Sequence, residues 1–326
     1  MRAVVYGGGN IGRGFLGQLL FESGYETVFI DINNELIDKL NAEHSYPSKI
    51  VCNEYQHEIT IQNVRAEHSN NAASAIATAD IMFTSAGVNV LPHIAQNIAE
   101  GIRRRQGRGL DIIICENLLH ADKHLRELLS KHIEIPDNIG FVESSVGRMV
   151  PVMNDDMYEG NILRVWVEPF CTLPVDQEAF KNEIPNINNM LPSAPFAYHI
   201  QSKLYLHNTG HAVAAYLGLK HGYTYIWEAM EDTEIYQTVE GAVRSSAEAL
   251  SREHHKPIDE VMNYAYDLIN RFQNRYLGDT CERVGRDARR KLAVDDRFLG
   301  AVALCNKHRL PTECIKQGIM EALDYL

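Results

Sequence analysis

The 326-residue chain is short of several features that would fix its class at once. No run of ~18 uninterrupted apolar residues occurs, so no membrane-spanning helix is expected. The six cysteines, at positions 52, 115, 171, 281, 305 and 314, include no C-x-x-C pair. Neither a disulfide framework nor a structural zinc site is expected from them, and free thiols suit a reducing cytoplasm. Positive charge is scarce: 31 Lys and Arg stand against 43 Asp and Glu, a net charge of −12. That balance argues against nucleic acid or an anionic membrane as a general partner, while leaving room for a local basic pocket. The N-terminus carries no signal-peptide pattern, and the chain has no internal repeat and no low-complexity segment. What is present is ordinary for a globular protein, with 45% hydrophobic and 23% charged residues. A chain of this length is near the limit of one core, so two domains are expected.

The first half alternates strand and helix patterns. "RAVVYGG" (2–8), "ETVFID" (26–31), "DIMFTSAG" (80–87) and "LDIIICEN" (110–117) read as short buried strands. "NIGRGFLGQLLFES" (10–23), "NELIDKLNAEH" (34–44), "PHIAQNIAEGIRRR" (92–105) and "HADKHLRELLSKH" (120–132) have helical spacing. Such alternation predicts an α/β fold with a Rossmann-type, doubly wound parallel sheet. Residues 46–64 read as an inserted β-hairpin, and the segments 141–151 and 162–170 as β structure carrying the crossing between domains. The Pro- and Asn-rich stretch 182–195 reads as an intervening loop. From about Ser202 onward the periodicity is helical, which predicts a dinucleotide-binding domain over 1–195 and a mostly α-helical substrate domain over 196–326.

"VVYGGGNIGRGFLGQLL" (4–20) is unusually rich in glycine for a strand followed by a helix. Each interior glycine costs a helix roughly 0.5–1 kcal/mol relative to alanine, so a ligand is expected to offset the cost. Gly7, Gly9 and Gly12 fit G-x-G-x-x-G. Gly7 would allow the tight turn, Gly9 a close approach to a pyrophosphate, and Gly12 close packing of helix on strand. Asn10 and Ile11 complete the candidate cofactor loop. Asp31 ends the next strand, where a carboxylate accepts ribose hydroxyls and repels a 2′-phosphate, so NAD is the expected cofactor. The same aspartate also suits a helix N-cap.

A second constellation, "SKLYLHNTGHAVAAYLG" (202–218), opens the helical half. On an α-helix Lys203 and His211 stand ~80° apart around the axis, and Asn208 neighbours His211. A lysine in a partly desolvated pocket can serve as a base. The same spacing suits a solvated lysine, a capping asparagine and a core histidine, and the residues alone leave both open. His207 and His211 also have the i, i+4 spacing of a two-histidine metal face, without an evident third ligand. Farther on, Arg283, Arg286, Arg289, Arg290 and Lys291 form a locally basic stretch that suits either a phosphate site or a solvated helix face.

Together, "GGGNIGRGFLG", "EGIRRR", "ICEN", "KLYLHNTGHA" and "RVGRDARRKLAVDDRFLG" resemble the polyol-specific long-chain dehydrogenases, the mannitol dehydrogenase family, over nearly the whole chain. The resemblance implies a metal-independent enzyme that passes hydride between a polyol carbon and NAD. Lys203 matches its catalytic lysine. Asn208 and His211 match the residues that hold the carbonyl oxygen and orient that lysine, and Asn117 matches a second oxyanion donor. By motif position Arg286 and Lys291, with Arg283 beside them, are the residues expected to bind a substrate phosphate. The expected substrate pair is D-mannitol 1-phosphate and D-fructose 6-phosphate, handled by a cytoplasmic monomer or small homo-oligomer.

One departure keeps alternatives open. Where the family reads V-D-R-I-V-P, this chain has "VGRMVP" (146–151), so Gly147 replaces an aspartate near the substrate hydroxyls. A fructuronate or tagaturonate reductase on the same scaffold, or an NAD-binding sensor without turnover, are the other readings.

Overall fold

Eleven strands and a largely helical second half emerge in the computed structural model, which describes residues 1–326. The strands are β1 (Arg2–Tyr6), β2 (Glu26–Asp31), β3 (Ser45–Val51), β4 (Gln56–Gln62), β5 (Val64–His68), β6 (Ile81–Thr84), β7 (Leu110–Ile114), β8 (Ile139–Glu143), β9 (Val165–Val167), β10 (Leu173–Asp176) and β11 (Met190–Ser193). Six of them form one parallel sheet in the order β5-β2-β1-β6-β7-β8. Taken in chain order, this is the doubly wound arrangement whose strand order reverses between its two central strands, here β1 and β6. The sheet is buried on both faces, which is why β1, β2, β6 and β7 read as nearly continuous apolar runs. Val5, Phe29 and Phe83 project to one core, and Val4, Val28, Ile30 and Met82 to the other. The chain crossings after β1 and after β6 therefore meet at the C-terminal end of this central pair, where open α/β sheets place their ligands.

β3 and β4 form an antiparallel hairpin running from Ser45 opposite Gln62 to Val51 opposite Gln56. Three expectations for the first half change here. The hairpin ends at Gln62, and Val64–His68 is the outer strand of the main sheet, pairing parallel with β2. Residues 141–151 and 162–170 do not carry a crossing between domains: β8 is the opposite outer strand of the main sheet, and β9 extends the hairpin into a three-stranded sheet. The 182–195 stretch is not simply a loop, because β11 pairs parallel with β10.

The chain divides into two compact units, residues 1–51 with 55–196, and residues 52–54 with 197–326. The hairpin tip thus belongs to the second unit, where Asn53 Nδ2 donates to the Gln273 carbonyl at 2.9 Å and Asn53 Oδ1 accepts the Arg275 N–H at 3.1 Å. The second unit is built around the helix Thr209–His221, which is buried on nearly every side. A helix apolar all round must be enclosed, and the helices Thr233–His254, Cys281–Gly285 and Glu313–Leu323 enclose it. No helix is long and apolar enough to cross a membrane.

Candidate active site

The glycine-rich turn is explained by its contacts. Gly7 has φ +105°, and a Cβ on it would lie 2.5 Å from the Ser85 carbonyl oxygen of the loop after β6. A Cβ on Gly12 would lie 2.0 Å from the Gly7 carbonyl oxygen, so helix and strand can close this turn only without side chains at either position. At Gly9 the direction of a Cβ meets nothing within 4 Å, leaving the backbone accessible at the start of the helix. Asn10 and Ile11 form the first helical residues, and Asn10 Nδ2 donates to the Pro151 carbonyl at 3.4 Å. Gly14 and Gly17 have a different cause. Their Cβ positions fall 3.0 Å from Val167 Cγ1 and 1.9 Å from the Tyr46 hydroxyl, so packing against the three-stranded sheet, not a ligand, offsets their helix cost.

This helix is π-wound over Gly12–Leu16, with the Gly17 N–H reaching back to the Gly12 carbonyl. Tyr46 donates its hydroxyl to the Arg13 carbonyl at 2.7 Å. Buried Arg13 donates in turn to the Gly8, Ile162 and Leu163 carbonyls at 2.7, 3.2 and 2.5 Å. Asp31 braces the other side of the turn. Its Oδ2 accepts the Gly8 N–H at 2.9 Å, and its Oδ1 accepts those of Ile32 and Asn33 at 2.8 and 3.1 Å. The N-cap of the following helix is Asn33, whose side chain accepts from Leu36 N–H, so Asp31 does not serve as that cap.

Two buried carboxylates that the sequence did not single out shape the neighbouring loops. Glu116 accepts the N–H groups of Ala86 and Gly87, both at 2.9 Å, and burial raises its pKa. It fixes the loop after β6 and leaves its neighbour Asn117 exposed on the loop after β7. Glu168 accepts the Met149 N–H, while Arg148 donates to the Glu168 carbonyl and to the Gly14 carbonyl at 3.0 Å. The arginine of "VGRMVP" is therefore a strut for the glycine-rich helix. Gly147 beside it is buried.

In the second unit, Lys203–Asn208 is a second π-wound stretch, running directly into the buried helix Thr209–His221. An i→i+5 turn is wider than the 3.6-residue turn. It brings Lys203 and His211 nearer to one line along the helix than the ~80° expected from α-helical spacing. The Thr209 hydroxyl supports the wider turn, lying 3.1 Å from the Leu204 carbonyl and 2.8 Å from that of Arg297. Lys203 and Asn208 are half-buried, and His207 is buried.

His211 stacks on Phe272, with ring centroids 5.0 Å apart and planes within 4°. Gly210 permits this approach, since a Cβ there would lie 3.1 Å from Phe272 Cε2. Burial pushes the His211 pKa down to about 3, assisted by Arg283, Arg297, Arg271 and Lys291, so the ring is neutral. His207 is pushed down by burial and then by Arg271, His211, Lys203 and Arg297. Beyond this helix, Asp279 is buried, with Oδ2 3.4 Å from His211 Nε2 and Oδ1 paired with Arg283. Asp279, Phe272, Arg271 and Arg297 were not marked by the sequence. Only the four-residue spacing of Asp279 and Arg283 offered a signal.

The basic stretch is not one helix. The helix Cys281–Gly285 ends, Asp287 takes φ +61°, and Ala288–Lys291 begins a new turn. The stretch therefore does not form one continuous helix face across Arg283, Arg286 and Arg290. Arg283 is engaged by Asp279 and Arg290 pairs with Asp287 at 3.1 Å, whereas Arg286 is exposed. Lys291 is only 4% exposed, and burial, with Arg297 and Arg290 beside it, lowers its pKa to about 8. A cleft of about 870 Å³ elsewhere in this unit is lined by Asn53, Glu231, Tyr236, Arg275 and neighbours, and by none of the expected site residues. His207 and His211, with centroids 5.9 Å apart, form no metal-capable three-residue cluster with Asp279, whose carboxylate stands against His211 alone. The one such trio, His120, Asp122 and Glu143, lies in the first unit.

Comparison with known proteins covers the whole chain. Residues 1–189 match the mannitol dehydrogenase Rossmann domain, and residues 196–326 the mannitol dehydrogenase C-terminal domain. A mannitol-1-phosphate 5-dehydrogenase of Bacillus licheniformis is 38% identical and one of Shouchella clausii 36% identical, each across all of this chain and 88% of the relative. Among solved structures, a D-sorbitol dehydrogenase aligns with TM-score 0.82 at 15% identity, over 99% of this chain and 79% of the other. Pseudomonas fluorescens mannitol 2-dehydrogenase, solved as a ternary complex with NAD and D-mannitol, aligns with TM-score 0.74 at 14% identity over 100% and 79%. These structures share the fold, and the full-length sequence matches make the relationship specific: the chain belongs to the mannitol dehydrogenase family.

Proposed function

We propose that this chain is an NAD-dependent oxidoreductase interconverting a polyol phosphate and a ketose phosphate, D-mannitol 1-phosphate and D-fructose 6-phosphate. The observation that carries the reading is end-to-end similarity, at 36–38% identity, to relatives named for the dehydrogenation of mannitol 1-phosphate.

The first unit fits a dinucleotide. The Gly7–Gly12 turn lies at the strand-order reversal, its Gly9 backbone is uncovered, and Asn10 and Ile11 begin a helix beside it. These residues are assigned to the pyrophosphate, where helix N–H groups favour anions. An ionised carboxylate offers about four acceptor positions. Three at Asp31 face backbone N–H groups, leaving capacity for a ribose hydroxyl. Bound there, NAD supplies the acceptor for a hydride.

In the second unit, Lys203 is assigned as the general base: uncharged, it takes the substrate hydroxyl proton, and as ammonium it returns that proton in the reduction. Asn208 donates an N–H to the oxygen that develops charge, and Asn117, on the loop after β7, is assigned as the second such donor. Lys291 and Arg286 are assigned to the substrate phosphate, whose two negative charges suit a buried ammonium and an unengaged guanidinium fork. Arg283 stands behind them, because Asp279 already holds it. No residue in this scheme requires a metal, and the reaction is assigned to side chains alone. The six free cysteines support a reducing cytoplasm as its setting, as monomer or small homo-oligomer.

The test is NADH oxidation by the full chain with fructose 6-phosphate, fructose, fructuronate and tagaturonate. Turnover fastest with fructose 6-phosphate, and unaffected by a chelator, is expected. Preference for either hexuronate would transfer the reading to a reductase of uronates, and binding of NADH without turnover of any of the four would make the chain a sensor.

A further inference from the structure

Asp279 is the one carboxylate brought against the neutral histidine of the lysine helix, and its own placement is fixed from several directions. It lies in the short link between the turn Arg275–Leu277 and the helix Cys281–Gly285. Its carbonyl accepts the Ile226 N–H at 2.9 Å, and two residues later the Cys281 N–H reaches the Thr224 carbonyl, also at 2.9 Å. Thr280 between them caps the helix through the Arg283 N–H at 3.1 Å. The side chain is held as firmly, since Oδ1 takes the Arg283 guanidinium and leaves Oδ2 facing His211 Nε2 at 3.4 Å.

We propose that Asp279 is a positioning residue that holds His211 as the Nε2–H tautomer, so that the imidazole serves the reaction as an acceptor at Nδ1 and not as a donor to the substrate carbonyl. The inference rests on the oxidoreductase reading above for its chemical consequence, but its structural half stands on the second unit alone. A neutral imidazole has one donor and one acceptor nitrogen, and a carboxylate can only accept. The nitrogen facing Asp279 therefore carries the hydrogen. Burial keeps the ring neutral, assisted by Arg283 from the helix Cys281–Gly285, Arg297 from Arg297–Lys307, Arg271 from Ile258–Phe272 and Lys291 from Ala288–Lys291, and the His207 ring stands one turn before it. Stacking on Phe272 fixes the ring plane, so the tautomer and the orientation are set together.

This divides the work between two residues that the sequence motif leaves undivided. A ring with its only N–H turned to Asp279 has no donor left for a ketose oxygen, so that oxygen falls to the amide of Asn208. What Nδ1 can receive is a hydrogen bond from an ammonium or a hydroxyl, which suits orienting Lys203 in its protonated state or the polyol hydroxyl in the oxidative direction. Asp279 also takes up the charge of Arg283, and Asp287 that of Arg290, which leaves Lys291, Arg286 and Arg289 as the cations of the basic stretch without a carboxylate partner.

The experiment combines the tautomer and the kinetics. Long-range proton–nitrogen NMR on full-length protein labelled with ¹⁵N-histidine identifies which His211 nitrogen is protonated, with His211→Gln used only to assign its signals among the 14 histidines. The unmodified protein is expected to show Nε2–H. In Asp279→Asn the amide can donate as well as accept, so the pure Nε2–H signature should be lost, with kcat for fructose 6-phosphate reduction falling about 10²-fold. NADH affinity should be unchanged, and Asp279→Glu should recover part of both the signature and kcat. An Nδ1–H tautomer in the unmodified protein overturns the proposal even if no variant folds. Loss of kcat in Asp279→Asn with the Nε2–H signature intact also overturns it, by reducing Asp279 to a fold-holding role. Should the unmodified protein show Nε2–H yet reduce no sugar phosphate, the substrate reading fails while the Asp279–His211 assignment is upheld.

Discussion

Replacing Asp31 by asparagine separates charge from shape at the place where the adenosine ribose is assigned. The carboxylate occupies the end of β2 and accepts three backbone N–H groups, at 2.8 to 3.1 Å, from Gly8, Ile32 and Asn33. A 2′-phosphate brought to this position carries nearly two negative charges. Even at the water limit, like charges ~4 Å apart repel by about 1 kcal/mol for each pair, and more beside a protein surface. Two pairs therefore disfavour NADP by at least about 2 kcal/mol, and since 1.36 kcal/mol is a factor of ten, the preference for NAD should be at least about 30-fold in kcat/KM. Asp31→Asn keeps an acceptor for part of the N–H set and should narrow the preference by about tenfold. Asp31→Ala should narrow it too, but with a higher KM for NAD, because the Gly8, Ile32 and Asn33 N–H groups lose their partner and the turn loosens. The assay is steady-state kinetics with NADH and NADPH in parallel, using fructose 6-phosphate. Equal kcat/KM for the two cofactors in the unmodified protein, or an unchanged ratio in Asp31→Asn, would refute the charge argument.

Lys203→Ala should lower kcat by ~10²–10⁴-fold, the scale of a positioned acid–base group, with NADH affinity by fluorescence titration nearly unchanged; activity near the unmodified level would remove Lys203 from the mechanism. Lys291 has its pKa lowered to about 8, so its ammonium is lost as pH rises through that value, and KM for fructose 6-phosphate should climb above pH ~8. Lys291→Met should raise KM for fructose 6-phosphate about 10- to 100-fold, leave fructose little affected and flatten that rise; equal weakening of both sugars would place the phosphate elsewhere. The same lowered pKa means the unfolded chain binds more protons between pH ~8 and ~10.5, so the Lys291 contribution to stability grows with pH across that window in the absence of substrate, a trend that urea titrations at several pH values should lose in Lys291→Met. Tyr46→Phe leaves the Arg13 carbonyl without its hydroxyl donor inside the core and should destabilise the protein by about 1–2 kcal/mol, read as a lower melting temperature.

The parts of the molecule that could be read from the sequence are those whose signal is local. β1, β2, β6 and β7 are short apolar runs between turn residues, and Gly7, Gly9, Gly12 and Asp31 sit at offsets fixed by one βαβ unit. β5 escaped because Arg65 pairs there with both Glu67 and Glu26, which gives an outer strand the composition of a loop. The winding of Lys203–Asn208 escaped because periodicity is read at 3.6 residues per turn, and nothing in "KLYLHN" announces a wider turn. The break at Asp287 escaped for a related reason: aspartate tolerates the left-handed conformation without the glycine that would have marked it. Gly14 and Gly17 were legible as glycines and misread in purpose, because Val167 and Tyr46 reach them from strands far away in the chain. Asp279 meets His211 only once the helical unit is assembled, so no spacing rule within either segment places them together.

The tip of the β3–β4 hairpin has a consequence for how this protein can be taken apart. Residues 52–54 belong to the compact unit formed otherwise by 197–326, so that unit is not one contiguous stretch of gene. A fragment beginning at residue 197 would lack Asn53 and leave the Gln273 carbonyl and the Arg275 N–H without the side chain that joins them. A fragment ending at residue 196 would carry an orphaned hairpin tip whose asparagine had lost both its partners. The two units are thus two by packing but interleaved by connectivity, and a single cut at the obvious boundary yields two incomplete pieces.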